Sequence, residues 1–182
     1  MSTPSDLALP GYTTGTWTID PVHSEISFTV KHLGIAKVRG RFDAVEGQIV
    51  TAENPLESTV SATVHTPSVS TGNDQRDGHV RAEDFLHTEQ HPEMTFRSTG
   101  VRAASGDRFS VDGELTLRGV TRPVTLDVEL NGFGTGMDGK PAIGLSASTE
   151  INRSDFGVTA GPAGAVVGEA VRITLEIEAN QV

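Results

Sequence analysis

A chain of 182 residues fits a single domain and is long enough to bury a substantial core. Its formal charge of −10 disfavours nucleic acid and anionic lipid surfaces as direct partners, since both select clusters of Lys and Arg and no such cluster stands out in the sequence. The absence of cysteine excludes disulfides, thiol nucleophiles and thiolate metal sites.

With 20 Gly and 9 Pro beside 36% hydrophobic residues, the composition favours short strands and many turns over long helices. Residues 1–12 are Pro-bearing and aperiodic and read as a flexible leader; 13–180 form the domain. The start carries no basic stretch followed by an apolar run of signal-peptide type, and no segment approaches the roughly 20 apolar residues of a membrane span. A cytoplasmic location is the expectation.

Alternation begins at Thr16–Asp20 and resumes at Ser24–His32, where Ile26, Phe28, Val30 and His32 share one face, Pro21 separating the two strands. Val38, Gly40 and Phe42 continue the pattern, then Val60, Ala62 and Val64, each run fitting a half-buried strand. Met94 and Phe96, Phe109 to Leu117, Val124 to Leu130, Ile143 to Ile151 and Val171 to Ile177 complete about eight long strands. Gly-containing turns at Asp43–Gly47 and Arg118–Thr121 join antiparallel neighbours. A closed barrel leaves no exposed edge; a sandwich is the structural rival, because alternation alone does not distinguish them.

One segment, Thr71–Pro92, breaks the strand pattern. It reads as short helical turns with Thr71 or Asn73 as N-cap and Pro92 as a stop, and Val80, Phe85 and Leu86 supply an apolar face that covers one end of a barrel. Arg76 and Arg81 are expected to be solvated or paired with Asp77, Glu83 or Asp84.

Enzymatic spacings are missing: there is no Gly-x-Ser-x-Gly elbow, no phosphate-cradling loop and no His-Glu-x-x-His helix. His87 and His91 stand four apart but lack a marked third ligand, so no metal site and no cofactor is assigned. His23, after Asp-Pro-Val, is expected to brace a turn. His32 is either a satisfied core histidine or a polar group that meets a ligand head at the barrel mouth. Arg153 is expected to brace Asp155, ligand contact being the alternative.

The stretches Trp17-Thr-Ile-Asp-Pro-Val-His-Ser-Glu-Ile-Ser-Phe-Thr-Val-Lys-His32, Gly40-Arg-Phe42, Arg76-Asp-Gly-His-Val-Arg-Ala-Glu-Asp-Phe85, Gly113-Glu-Leu-Thr-Leu-Arg-Gly-Val-Thr-Arg-Pro-Val124 and Arg153-Ser-Asp-Phe-Gly157 resemble, in family order, the YceI-like family. The resemblance implies an extended, lipocalin-like antiparallel β-barrel that binds polyisoprenoids, prenyl quinones, fatty-acid derivatives or similar long apolar molecules, often as a homodimer. It brings no catalytic set. On this reading Ile26, Phe28, Val30, His32, Phe42 and Phe85 contact the ligand from one part of the chain. Phe96, Leu145, Ala147, Arg153 and Phe156 do so from the rest. A lipid-modifying or hydrolytic enzyme and a filled-barrel interaction module are the rival functions.

Overall fold

The computed structural model describes residues 9–182; most of the expected 1–12 leader therefore lies outside the described residues. The described residues form eleven strands: β1 (Gly15–Ile19), β2 (Glu25–His32), β3 (Ala36–Phe42), β4 (Val45–Thr51), β5 (Thr59–His65), β6 (Val69–Ser70), β7 (Glu93–Ser105), β8 (Arg108–Leu117), β9 (Val120–Thr135), β10 (Pro141–Asn152) and β11 (Val167–Gln181). They pair in the order β1-β4-β5-β7-β8-β9-β10-β11, and β11 returns to β1 through Trp17↔Gln181 and Ile19↔Ala179. That last pairing decides between sandwich and barrel: the sheet is a closed, eight-stranded antiparallel barrel, with every neighbour antiparallel.

Eleven segments make eight staves because three staves are broken. β1 and β2 lie end to end along β11, interrupted at Pro21, which has no N–H to offer the ladder. β3 and β4 likewise form one bent stave facing β2 and β1, and β6 extends β5 beside β3. The turn expected at Asp43–Gly47 is therefore a correction: only Asp43 and Ala44 leave the strand. The Ala44 N–H donates to Ser68 Oγ at 3.0 Å, so an off-stave hydroxyl satisfies the kink and the chain continues instead of reversing. The alternation of Val45, Gly47 and Ile49 is a strand pattern that the short Gly-containing run disguised. The expected turn at Arg118 does form, with Arg118 (φ 53) and Gly119 (φ 73) between the paired Leu117 and Val120.

Both ends of the barrel are furnished. At one, Trp17 is fully buried, its Nε1 donates to Thr51 Oγ1 at 2.9 Å, and Phe133 stands edge-on to it at 5.6 Å between centroids. Tyr12 also packs edge-on against Phe133 at 5.5 Å, so the described end of the expected leader belongs to this plug.

At the opposite end the segment between β6 and β7 lies across the opening. Helix α1 (Asp74–Val80) begins at Asn73, whose side-chain oxygen accepts the Arg76 N–H at 2.9 Å. It is one of the two caps expected from sequence. The helix stops at Val80, well before Pro92, because Arg81 caps it and the chain then runs through tight turns, with His87 in the left-handed region (φ 48). A 3₁₀ turn over Arg153–Phe156 and another over Gly161–Ala165 complete this cap.

Candidate functional site

Inside the barrel two chambers follow one another. The deeper one, of about 110 Å³, is walled by aliphatic and aromatic side chains such as Ile49, Val60, Ala62, Phe96, Leu145 and Ala147. The larger one, of about 290 Å³, lies toward the capped end and is walled by Phe28, Val30, Phe42, Val80, Phe85 and Leu86 among others. Ile26, Met94 and Ile173 border both and form the neck between them.

Two glycines explain how aromatic residues fit in so slim a barrel. Phe28 is registered opposite Gly40, and a Cβ on Gly40 would collide with its ring; Gly113, registered opposite Ser98, lies diagonally under the ring of Phe96, which a Cβ there would likewise strike. With no side chain at these positions, both rings fold down against the wall. Phe42 then meets Phe28 at 5.6 Å between centroids. Packing of this kind lines the lumen without filling it.

Polar groups gather at the capped end. Ser27, Lys31, His32, Thr71, Arg76, His79 and Arg153 border the larger chamber, and among the described residues no Asp or Glu does. Arg76 is solvent-exposed, one of the two outcomes expected, and neither it nor Arg81 forms the alternative ion pair among the described residues. Arg76 Nε donates to Thr71 Oγ1 at 2.8 Å and its terminal nitrogen to the Thr71 carbonyl at 2.7 Å; Arg81 donates to the carbonyls of Pro67 and Val69. Asp77 is buried and accepts from the Thr71 N–H and hydroxyl, which hold its carboxyl below the usual range. His79 pairs with Asp84 at 2.7 Å.

Arg153 is the main correction. It does not brace Asp155: it is buried, and its guanidinium donates to the carbonyls of Gly168 (3.0 Å), Val158 (2.8 Å), Gly164 (3.3 Å) and Val167 (3.1 Å). The 3₁₀ turn places Asp155 on the outside, whereas the Arg153 chain runs inward under the returning 158–168 segment. Arg153 thus staples the loop that walls the chamber. Glu169, 3.8 Å away, is held below the usual carboxylate range first by the Ser154 hydroxyl, then by the Ser154 N–H and only then by Arg153.

Of the residues expected at a ligand, Ile26, Phe28, Val30, His32, Phe42, Phe85 and Arg153 border the larger chamber. Phe96, Leu145 and Ala147 border the deeper one, as Ile26 also does. Phe156 borders neither: its ring is packed in the hydrophobic core at 2% exposure. Sequence reasoning passed over Met94 as a neck and Ile49 as a wall, the latter because β4 was mistaken for a turn.

His23 braces its turn as expected, with Nδ1 2.7 Å from Asp20, and that carboxylate draws its pKa up. Glu178 stands 3.4 Å from the same nitrogen, and these three are the one group among the described residues with His and carboxylate atoms close enough to share a cation. His87 and His91 meet edge to face at 5.8 Å on a turn, without a helix between them.

A closed antiparallel barrel, plugged at one end, capped at the other and hollow along an apolar axis, is a lipocalin-like architecture. The YceI-like domain profile matches residues 17–179, and the chain belongs to the YceI-like family. It is 38% identical over 162 residues to Protein YceI of Escherichia coli O6:H1, covering 87% of this chain and 82% of that one. The UPF0312 protein of Yersinia pestis is equally similar, at 38% over 163 residues. Among solved structures, the YCEI protein of Campylobacter jejuni superposes with a TM-score of 0.74 at 32% identity, over 84% of this chain and 90% of that one. Burkholderia cenocepacia BcnA (TM-score 0.79, 22% identity, 88% and 98% covered) shares the fold. So does a polyisoprenoid binding domain from Saccharophagus degradans (TM-score 0.71, 20% identity, 93% and 100% covered).

Proposed function

We propose that this protein binds a long, single-chain apolar lipid along the barrel axis, with a polyisoprenoid as the first candidate and prenyl quinones or fatty-acid derivatives as the nearest alternatives. The observation that carries the reading is the pair of apolar chambers joined through one neck. The larger is close to the lower end of the roughly 300–1,000 Å³ common for small-molecule pockets, and the second extends it along one line. A slim apolar lumen is costly to fill with water, and a flexible chain relieves that cost along its whole length. At about 0.3 kcal/mol per heavy atom, affinity rises with every carbon the chambers accommodate.

The polar border of the larger chamber supports a head group at the capped end and a tail toward Trp17. The polyisoprenoid binding described for the Saccharophagus degradans domain supports the same cargo class. Carriage or storage rather than catalysis, a homodimer in solution and a cytoplasmic location complete the proposal. Protein purified without detergent should release a long-chain isoprenoid on organic extraction, identified by mass spectrometry. If repeated preparations release nothing, and prenyl quinones, prenyl phosphates and fatty acids all leave the melting temperature unchanged, the lumen is a structural void and the carrier reading fails.

A further inference from the structure

The outer face of the β2–β3 hairpin is unlike the rest of this acidic surface. Two of the chain's three lysines, Lys31 and Lys37, are registered directly opposite each other there, and Arg39 follows opposite Thr29. Arg172 of β11 is registered on the other side of Thr29. All four side chains are exposed, and none forms an ion pair or side-chain hydrogen bond with a described residue. Four other strand arginines are neutralised locally, Arg41 by Asp43, Arg97 by Glu114, Arg102 by Asp112 and Arg108 by Glu129, while Arg122 donates to the Asp155 carbonyl. Glu150 is registered opposite Arg172 on β10, and Glu169, which follows the Gly168 packed beside Lys31, is engaged by the Ser154 N–H and Arg153. Like charges paired directly across an antiparallel ladder destabilise it, so the Lys31–Lys37 pair has no benefit to the fold.

The turn that joins the two strands is equally unusual. Leu33 (φ 56) and Gly34 (φ 70) both lie in the left-handed region, where Asn or Asp before Gly is the favoured choice and a bulky side chain is strained. A leucine nevertheless occupies the position and is 57% exposed; Ile35 beside it is 88% exposed. Strain plus two solvated aliphatic side chains costs the isolated protein twice and stabilises no contact within it. An exposed aliphatic tip with unpaired cations just behind it matches the vertical order of a bilayer surface, acyl chains beneath anionic head groups. The tip is also joined to the cavity. The Leu33 N–H donates to the Val166 carbonyl at 2.7 Å, and Val166, Lys31 and His32 border the larger chamber.

We propose that the β2–β3 hairpin tip docks this protein on an anionic phospholipid bilayer, Leu33 and Ile35 entering the interface while Lys31, Lys37, Arg39 and Arg172 meet the head groups. The net charge of −10 opposes a generic approach to such a surface, but at physiological salt charges beyond about 8 Å are largely screened, so the local cations decide the contact. Docking in this orientation turns the capped end, with its chamber, toward the membrane.

The test is flotation with phosphatidylcholine vesicles, with and without phosphatidylglycerol. Binding is expected to require phosphatidylglycerol and to weaken with added salt. It should fall about fivefold with each of Lys31→Gln and Lys37→Gln, and further with Leu33→Ser or Ile35→Ser. Met137→Ser is the control: Met137 is 94% exposed, but it sits in the β9–β10 hairpin at the plugged end, so binding should not change. Melting temperatures confirm that each variant folds. No binding to phosphatidylglycerol vesicles, or equal losses from Met137→Ser, would overturn the proposal. So would sedimentation showing that Ile35→Ser dissociates a dimer without altering vesicle binding, since the tip would then serve a second copy. Cargo does not enter the assay, and its failure would leave the carrier reading standing.

Discussion

At the scale of single residues, Arg153 shows how a charged group can be retained inside a protein chiefly by backbone carbonyls, with Glu169 a longer ionic partner at 3.8 Å. Four backbone carbonyls surround the guanidinium, and each is an acceptor that the irregular 158–168 loop cannot satisfy by itself. Arg153→Ala removes the shared donor and leaves those carbonyls short of partners, a loss of about 2–4 kcal/mol. Thermal melts of emptied and lipid-loaded protein are the check: the variant should melt lower by a similar amount in both. A loss confined to the loaded protein would instead place the guanidinium on the ligand. The same residue also shows a limit of local reading, because an Arg two positions before an Asp suggests a brace that the 3₁₀ turn then separates.

At the scale of elements, the pairing of β2 with β3 sets the bore of the larger chamber. The Phe28 ring lies over Gly40, and the space it leaves free is the space available to a ligand. Gly40→Val should push the ring into the lumen, reduce the amount of lipid extracted and destabilise the barrel by about 1–3 kcal/mol through overpacking. Adding Phe28→Ala to Gly40→Val should restore lipid content, because the displaced ring is then gone. Equal lipid content in the single variant and the parent would show that the ligand does not pass Phe28. The cap at this end was legible as an element, since Val80, Phe85 and Leu86 supply its apolar face. Its helix is shorter than the segment, because capping at Arg81 and the turns that follow are set by where the barrel rim offers carbonyls to Arg81.

At the scale of the whole molecule, the two chambers act as one channel only as long as the neck at Ile26, Met94 and Ile173 stays open. Met94→Trp should close it. The expected result is a shift of the extracted cargo toward shorter chains while the head group, held at the capped end, is unchanged; mass spectrometry reads both. An unaltered length distribution would put the tail elsewhere.

What the sequence alone determined is the all-β character, the residues that share an apolar face on most strands and the family. Side chains on a strand alternate whatever its neighbours are, so Ile26, Phe28 and Val30 or Leu145 and Ala147 declare one face before any partner is known. Closure, bore and surface charge were decided only by the tertiary structure. The β1–β11 pairing joins residues from opposite ends of the chain, the lumen depends on which glycine lies under which ring, and four cations from three strands become one patch through register. Each is a relation between distant segments, and local periodicity carries no information about such relations.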